Sequence, residues 1–253
     1  MVEPVQRGSI VDTLVSQLIR DILGGRYRPG SYLPPERDLA AGYSVTRTSL
    51  KHAFVRLEQL GLLTTKHGVG TQVRDYERLG GVELLPLLAR GAGNGWTEEI
   101  FAVRQELGAV VAAKAAANAS DDQRTQLQRL RARVAQAADA DEAQLAECEV
   151  HRLLAAATQN RVYVFLVNSI LNAYLPIRQL LREPFTDPQA AAERLGPLVD
   201  AVGAGDPATA RETADAYLAR TGHLMMADLS QGTGSSHDGA ENNSAQDPEE
   251  ATR

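Results

Sequence analysis

Apolar residues recur at helical spacing along most of the chain. In residues 9–23 the positions Val11, Leu14, Val15, Leu18, Ile19 and Ile22 make one stripe, which predicts an amphipathic helix ended by Gly24-Gly25. Tyr27-Arg28-Pro29-Gly30 is turn chemistry. A short helix is predicted to open at Pro34-Pro35, with proline in the first turn where a missing N–H costs nothing, and to stop near Gly42. The next stripe is Leu50, Ala53, Phe54, Leu57 and Leu60. It belongs to a helix capped by Thr46 and closed by Gly61, which suits a left-handed residue. Two short β runs, 62–66 and 71–73, flank the tip His67-Gly68-Val69-Gly70 and read as a hairpin. Residues 1–8 are expected to fray.

Residues 97–229 carry helix after helix and no strand-like alternation. Thr97 is the expected cap of the first, with Ile100, Val103, Leu107, Val110 and Val111 inside. Ser120-Asp121-Asp122 starts a second and Asp141-Glu142 a third that runs to Thr158. The fourth, 161–182, is apolar nearly all round, so it is expected at the centre, kinked at Pro176. Thr186-Asp187-Pro188 starts a fifth and Asp206-Pro207 a sixth that passes Met226. The fold class predicted is mainly α, an N-terminal winged helix-turn-helix (1–76) followed by a six- to seven-helix bundle (97–229). Between them, 77–96 is a linker whose apolar run 82–88 can dock as a short helix. The stretch 230–253 is polar and acidic and is predicted to be a disordered tail.

Charge separates the two parts. Residues 1–76 hold ten Lys/Arg against seven Asp/Glu, a net +3, whereas the remainder holds sixteen against twenty-five, a net −9. A basic head on an acidic body suits a reader of DNA joined to a sensor. The outer faces of the Thr46 helix carry Arg47, Thr48, Lys51, His52 and Arg56, cations and hydroxyls with no carboxylate, and such groups match phosphate oxygens and base edges. One cysteine, Cys148, excludes an intrachain disulfide and suggests a reducing cytoplasm; no signal-peptide core and no membrane span are read. Among five histidines no nucleophile motif, P-loop or dinucleotide fingerprint is found, so an enzyme is not expected.

The stretch Leu33-Pro34-Pro35-Glu36-Arg37-Asp38-Leu39-Ala40, with 45–62 and His67-Gly68 after it, resembles the GntR family of bacterial regulators. The resemblance implies operator contacts at Arg37, Thr46, Arg47, Thr48, Ser49, Lys51, His67 and Gly68. Two departures stand out. Lys51 replaces a common arginine, a point charge for a bidentate fork. Ser44 replaces a common turn glycine, which implies slight strain.

The helical part resembles the FadR-type C-terminal domain, through Arg104 in a "VR" pair and the 155–160 step. Most members of that branch hold a metal with an acid four residues before a histidine and two further histidines. Glu147 and His151 fill the first pair here, but Arg194 and Tyr217 stand at the later positions, too few ligands for a metal. Lack of that set, the linker GGVELLPLLA, the fourth body helix and the segment from Glu212 to Gly222 resemble the acyl-CoA-responsive FadR proteins. That implies a homodimer on a pseudo-palindromic operator with long-chain acyl-CoA as effector and no cofactor. In this reading Phe165, Leu166, Ile170, Leu171 and Leu175 line an apolar tunnel, and Arg104, His151, Asn168, Tyr174, Arg178, Tyr217 and Thr221 supply its polar groups. The alternatives are a small carboxylate effector with a metal at Glu147 and His151, or a body that serves dimerisation alone.

Overall fold

The computed structural model describes residues 8–66, 68–91 and 94–234. The head begins with helix α1 (Gly8–Leu23), then α2 (Glu36–Gly42) and α3 (Arg47–Gln59), and closes with the antiparallel hairpin β1 (Leu63–Lys66) and β2 (Gly70–Val73). Leu63 pairs with Val73 and Lys66 with Gly70, and Tyr32 adds a bridge to Gln72. Leu14, Leu18 and Ile22 of α1 meet Leu50, Phe54 and Leu57 of α3 in one core with Leu62, Leu63 and Val73. Each such side chain contributes about 1.5–3 kcal/mol when fully buried.

The local signals act as expected at both ends of α3. Thr46 Oγ1 accepts the Ser49 N–H at 3.1 Å. Gly61 turns left-handed at φ 75°, which lets Leu62 N–H bond back to the Leu57 carbonyl at 2.9 Å. Ser44 takes φ 53° between α2 and α3, so the missing glycine is felt there. One detail differs: Pro35 is the residue before α2 and not part of its first turn, because its extended ψ of 140° lies outside the helix.

The linker is packed, as its apolar run predicts. It forms α4 (Tyr76–Leu79), a 3-10 turn (Val82–Leu84) and α5 (Leu85–Gly91). Leu84 and Leu88 are buried in the head's core, while α5 also lies on the body's fourth helix.

The body holds α6 (Asn94–Asn118), α7 (Asp121–Ala135), α8 (Ala140–Ala157), α9 (Arg161–Tyr174), α10 (Pro188–Ala204) and α11 (Pro207–Gly234). Side-chain caps set the starts: Ser120 forms a reciprocal box with Gln123, and Asp139, Asn160 and Asp187 each accept an N–H from the first turn. The core is rich in small residues, among them Ala112, Ala115, Ala143, Ala146 and Ala155, so the helices approach closely.

Four sequence expectations need correcting. Thr97 does not cap α6, which starts at Asn94 and buries Thr97 inside it. The helix beginning at Arg161 is not one kinked helix to residue 182. It leaves α geometry after Tyr174 and tightens into 3-10 turns at Leu175–Leu181 and Glu183–Phe185, because Pro176 and Pro184 lack the N–H that continued α bonding needs. Nor is α9 apolar side inward all round: Val162 and Phe165 are 62% and 66% exposed. Finally, residues 230–234 continue α11 where a disordered tail is predicted, and Gly8, the last residue expected to fray, opens α1; 1–7, His67 and 235–253 lie outside the described residues. The segment Arg161–Leu181 is long and apolar enough to cross a membrane by length and composition alone, and it packs here against α5, α6 and α8.

Candidate DNA-reading face and ligand pocket

The head presents Arg37, Thr46, Arg47, Thr48, Lys51 and Gly68 to solvent, and Ser49 is half-buried with its Oγ 2.9 Å from Thr46 Oγ1. Gly68 turns left-handed at φ 76° on the hairpin tip beside exposed Val69. α2 packs on α3, so Arg37 and the α3 set sit on neighbouring helices, and Gly68 of the hairpin shares a cleft with Pro34, Pro35 and Glu36 at the start of α2; His67 is not among the described residues.

What the sequence reading missed is the acids. The outward residues Arg47, Thr48, Lys51, His52 and Arg56 of α3 include no carboxylate, but neighbouring elements supply them. Glu36 Oε2 of α2 lies 3.9 Å from Arg47 Nη2 and 4.0 Å from Lys51 Nζ. Arg37 Nε donates to Asp38 at 3.1 Å, and Arg56 pairs with Asp12 of α1. The signal was present in Glu36-Arg37-Asp38, yet nothing in linear spacing tells that Glu36 meets α3 across the turn.

The body contains a buried polar cluster. Glu147 of α8 is 2% exposed, and three groups converge on its Oε1. Tyr217 of α11 donates its hydroxyl at 2.5 Å, His151 Nε2 lies one helical turn away at 3.1 Å, and Arg104 Nη2 of α6 lies at 3.7 Å. Arg104 Nη1 also reaches Thr221 Oγ1 at 3.5 Å, and Thr221 donates to the Tyr217 carbonyl at 2.9 Å. Burial pushes the Glu147 carboxyl up. The hydrogen bond and charge of His151, the Arg104 guanidinium and the Tyr217 hydroxyl outweigh it and hold the group below the usual carboxylate range. Burial, then the Glu147 charge, raise the Tyr217 phenol well above its ordinary value. Burial and the same carboxylate push the neighbouring Cys148 thiol up to about 12, so it is not a thiolate at neutral pH.

Beside this cluster lies an apolar cavity of about 40 Å³, walled by Leu107, Gly108, Val111, Leu154, Ile170, Leu171, Leu198 and Leu218, with Arg104 and His151 at its polar end. A second cavity of about 20 Å³ continues past Arg104 and Ile170 to Tyr174, Ile177 and Ala89 of α5. An outer cleft of about 490 Å³ between α10 and α11 has Tyr217 in its wall, with Arg194 and Arg220. A water molecule takes about 30 Å³. A long apolar chain therefore enters the inner cavities only if the helices part.

The predicted ligand residues separate accordingly. Arg104, His151, Tyr217 and Thr221 come together in the cluster, and Tyr174 lines the second cavity. Phe165 does not line a tunnel, since its position on α9 turns it to solvent, and Leu166, Asn168 and Leu175 line neither inner cavity. Arg178 is held elsewhere, bidentate on Asp141 at 2.6 and 3.2 Å. Glu147 itself went unassigned to the pocket by sequence, except as a metal ligand. Among the described residues no group of three or more His, Cys, Asp or Glu is placed to hold a metal. The donor set at Glu147 and His151 does not fit one, because the Arg104 guanidinium and the Tyr217 hydroxyl occupy the carboxylate's open side.

Two family models match the chain, one for bacterial regulatory proteins of the gntR family over residues 10–73 and one for the FCD domain over residues 99–220. An uncharacterized HTH-type transcriptional regulator of Mycobacterium tuberculosis, Rv0494, is 35% identical over 86% of this chain and 94% of its own length. The chain belongs to the GntR family. This GntR-family regulator is a DNA-binding transcriptional regulator with an FCD body, and the family is not one of enzymes. A protein named fatty acid metabolism regulator from Edwardsiella ictaluri is 32% identical over 68% of this chain and 71% of its own. Mce2R of Mycobacterium tuberculosis is 31% identical over 90% and 96%. Among solved structures, Lar of Listeria monocytogenes has a TM-score of 0.53 at 16% identity, covering 89% of this chain and 98% of that one, a likeness of fold.

Proposed function

We propose that this GntR-family regulator is a cytoplasmic homodimeric repressor of fatty-acid metabolism genes, released from its operator by long-chain acyl-CoA. The observation that carries the reading is the paired inner cavity, apolar along its walls, with Arg104 and His151 at its polar end. An acyl chain needs such walls, and a thioester or phosphate needs such donors. Likeness to a protein named fatty acid metabolism regulator, from Edwardsiella ictaluri, supports the fatty-acid part of this reading. Two heads in a dimer place one α3 in each of two major grooves, with Arg37, Thr46, Arg47, Thr48, Ser49, Lys51 and Gly68 as the contacts.

Thermal melting of the purified protein with oleoyl-CoA, octanoyl-CoA, free oleate, citrate and zinc tests the effector. A ligand bound by the folded state raises the melting temperature by mass action. A rise with long-chain acyl-CoA, matched by release of DNA, is expected; silence with every acyl-CoA would sink the reading. The second reading, a small carboxylate effector, draws on the closed volume of about 40 Å³, which admits a short acid beside Arg104 with far less opening. A rise with citrate and none with acyl-CoA selects it.

A further inference from the structure

The cations of α3 are paired in two different ways. Arg56 is hydrogen-bonded to its acid, Asp12, as Arg37 of α2 is to Asp38. Arg47 and Lys51 are not: one oxygen, Glu36 Oε2, stands 3.9 and 4.0 Å from their nitrogens, beyond hydrogen-bond reach. We propose that Glu36 is a specificity-determining residue of the DNA-reading face, a positioning residue that acts through Arg47 and Lys51. This rests on the reading that Arg47 and Lys51 face DNA.

The argument is one of charge against hydrogen-bond capacity. Phosphate attraction depends on net charge and carries no sequence information, whereas a base edge is read by free, directed N–H donors. A carboxylate at about 4 Å cuts the net charge of the Arg47–Lys51 pair without consuming its donors. Non-specific attraction therefore weakens while the forks stay available to guanine acceptors. Leu39 and Ala40, buried against α3, anchor the short helix that carries Glu36, so the carboxylate has a fixed origin. A pair this exposed contributes little to stability, and folding alone does not account for its placement.

The test compares wild type with Glu36→Gln on a random-sequence duplex and on the site wild type enriches from a random pool. Glu36→Gln is expected to bind the random duplex more tightly and to lose discrimination between the two. Its salt dependence should steepen by about one phosphate, an additional loss of about threefold in affinity between about 50 and 200 mM salt. A folding defect acts in the opposite direction, weakening both, and Glu36→Asp should recover discrimination. In a double-mutant cycle the effect of Glu36→Gln should shrink in Lys51→Ala. Unchanged random-duplex affinity and salt slope in a normally melting Glu36→Gln would overturn the proposal. Discrimination lost at a single base position, with non-specific binding unmoved, would also overturn it and assign Glu36 a direct cytosine contact. Arg47→Ala serves as the control: if it leaves enriched-site affinity intact, the reading of the face fails and not the role of Glu36 alone.

Discussion

Tyr217→Phe removes one oxygen from the most buried charge in the body. In the native protein the Tyr217 hydroxyl donates at 2.5 Å to Glu147 Oε1, and the carboxylate is all but inaccessible to water. A hydrogen bond to a charged group contributes about 1.5–3 kcal/mol. His151 and Arg104 remain beside the carboxylate in the variant, so the cost should fall in the lower half of that range. At roughly 2–4 °C per kcal/mol for a chain of this size, the melting temperature should drop by about 3–9 °C at pH 7. The pH dependence adds a second readout. The folded carboxyl titrates below its ordinary value, so its contribution is present above about pH 4.3 and is lost as pH falls through the folded value. Without the hydroxyl the depression is smaller. The gap between wild type and variant should therefore be full at neutral pH and narrow as pH falls below the ordinary glutamate range. Melting curves from pH 7 to pH 3.5 decide it. A drop under about 1 °C, or a gap unchanged in acid, would refute the claim that Tyr217 joins His151 and Arg104 in holding Glu147 ionised.

The remaining outcomes test the geometry from other directions. Ser44→Gly should stabilise the head by up to about 1 kcal/mol, read by thermal melting, because glycine adopts φ 53° without the side-chain penalty. Phe165→Ser should leave effector affinity unchanged in a ligand-binding assay, since Phe165 is at the surface; a large loss would return it to the pocket. Gly108→Val should block effector binding and destabilise the body by about 1–3 kcal/mol, because an added side chain on α6 runs into Leu218 of α11. Arg178→Ala should reduce stability more than ligand affinity, since its guanidinium is spent on Asp141.

The head was legible almost residue by residue because its signals are local. A threonine cap, a left-handed glycine and a period of 3.6 act within one or two turns, and Thr46, Gly61 and Leu50 behave as their neighbours dictate. Even the strain at Ser44 was readable, since the turn's φ is a backbone matter. The pocket was legible in composition but not in facing. Apolarity of α9 identified a packed helix, yet Phe165 and Ile170 are equally apolar, and which side meets α5, α6 and α8 is fixed by tertiary contacts. Arg178 looked like a ligand group because spacing cannot reveal that Asp141, thirty-seven residues earlier, would claim both of its arms. Glu36 escaped for the same reason: its partners lie across a turn.

The position of α5 gives the proposed effector a route to the head. Leu88 on this helix is buried with the head's core, while Ala89 lines the second cavity of the body. One short helix thus belongs to both parts, and the two cavities share Arg104 and Ile170. With inner volumes of about 40 and 20 Å³, an acyl chain cannot be accommodated while α5, α6 and α9 keep their spacing. Occupancy therefore selects an opened arrangement, and a ligand shifts the population only by its differential affinity for that state. Ala214 of α11 is also in the wall of the first cavity, so an apolar filler there that leaves α5 in place, Ala214→Leu, separates the two requirements. On the proposed reading, in which the closed arrangement binds DNA, it should abolish the response of DNA binding to acyl-CoA while keeping operator affinity. Operator affinity lost together with the response would mean that the closed cavity and the DNA-binding head are not the same state.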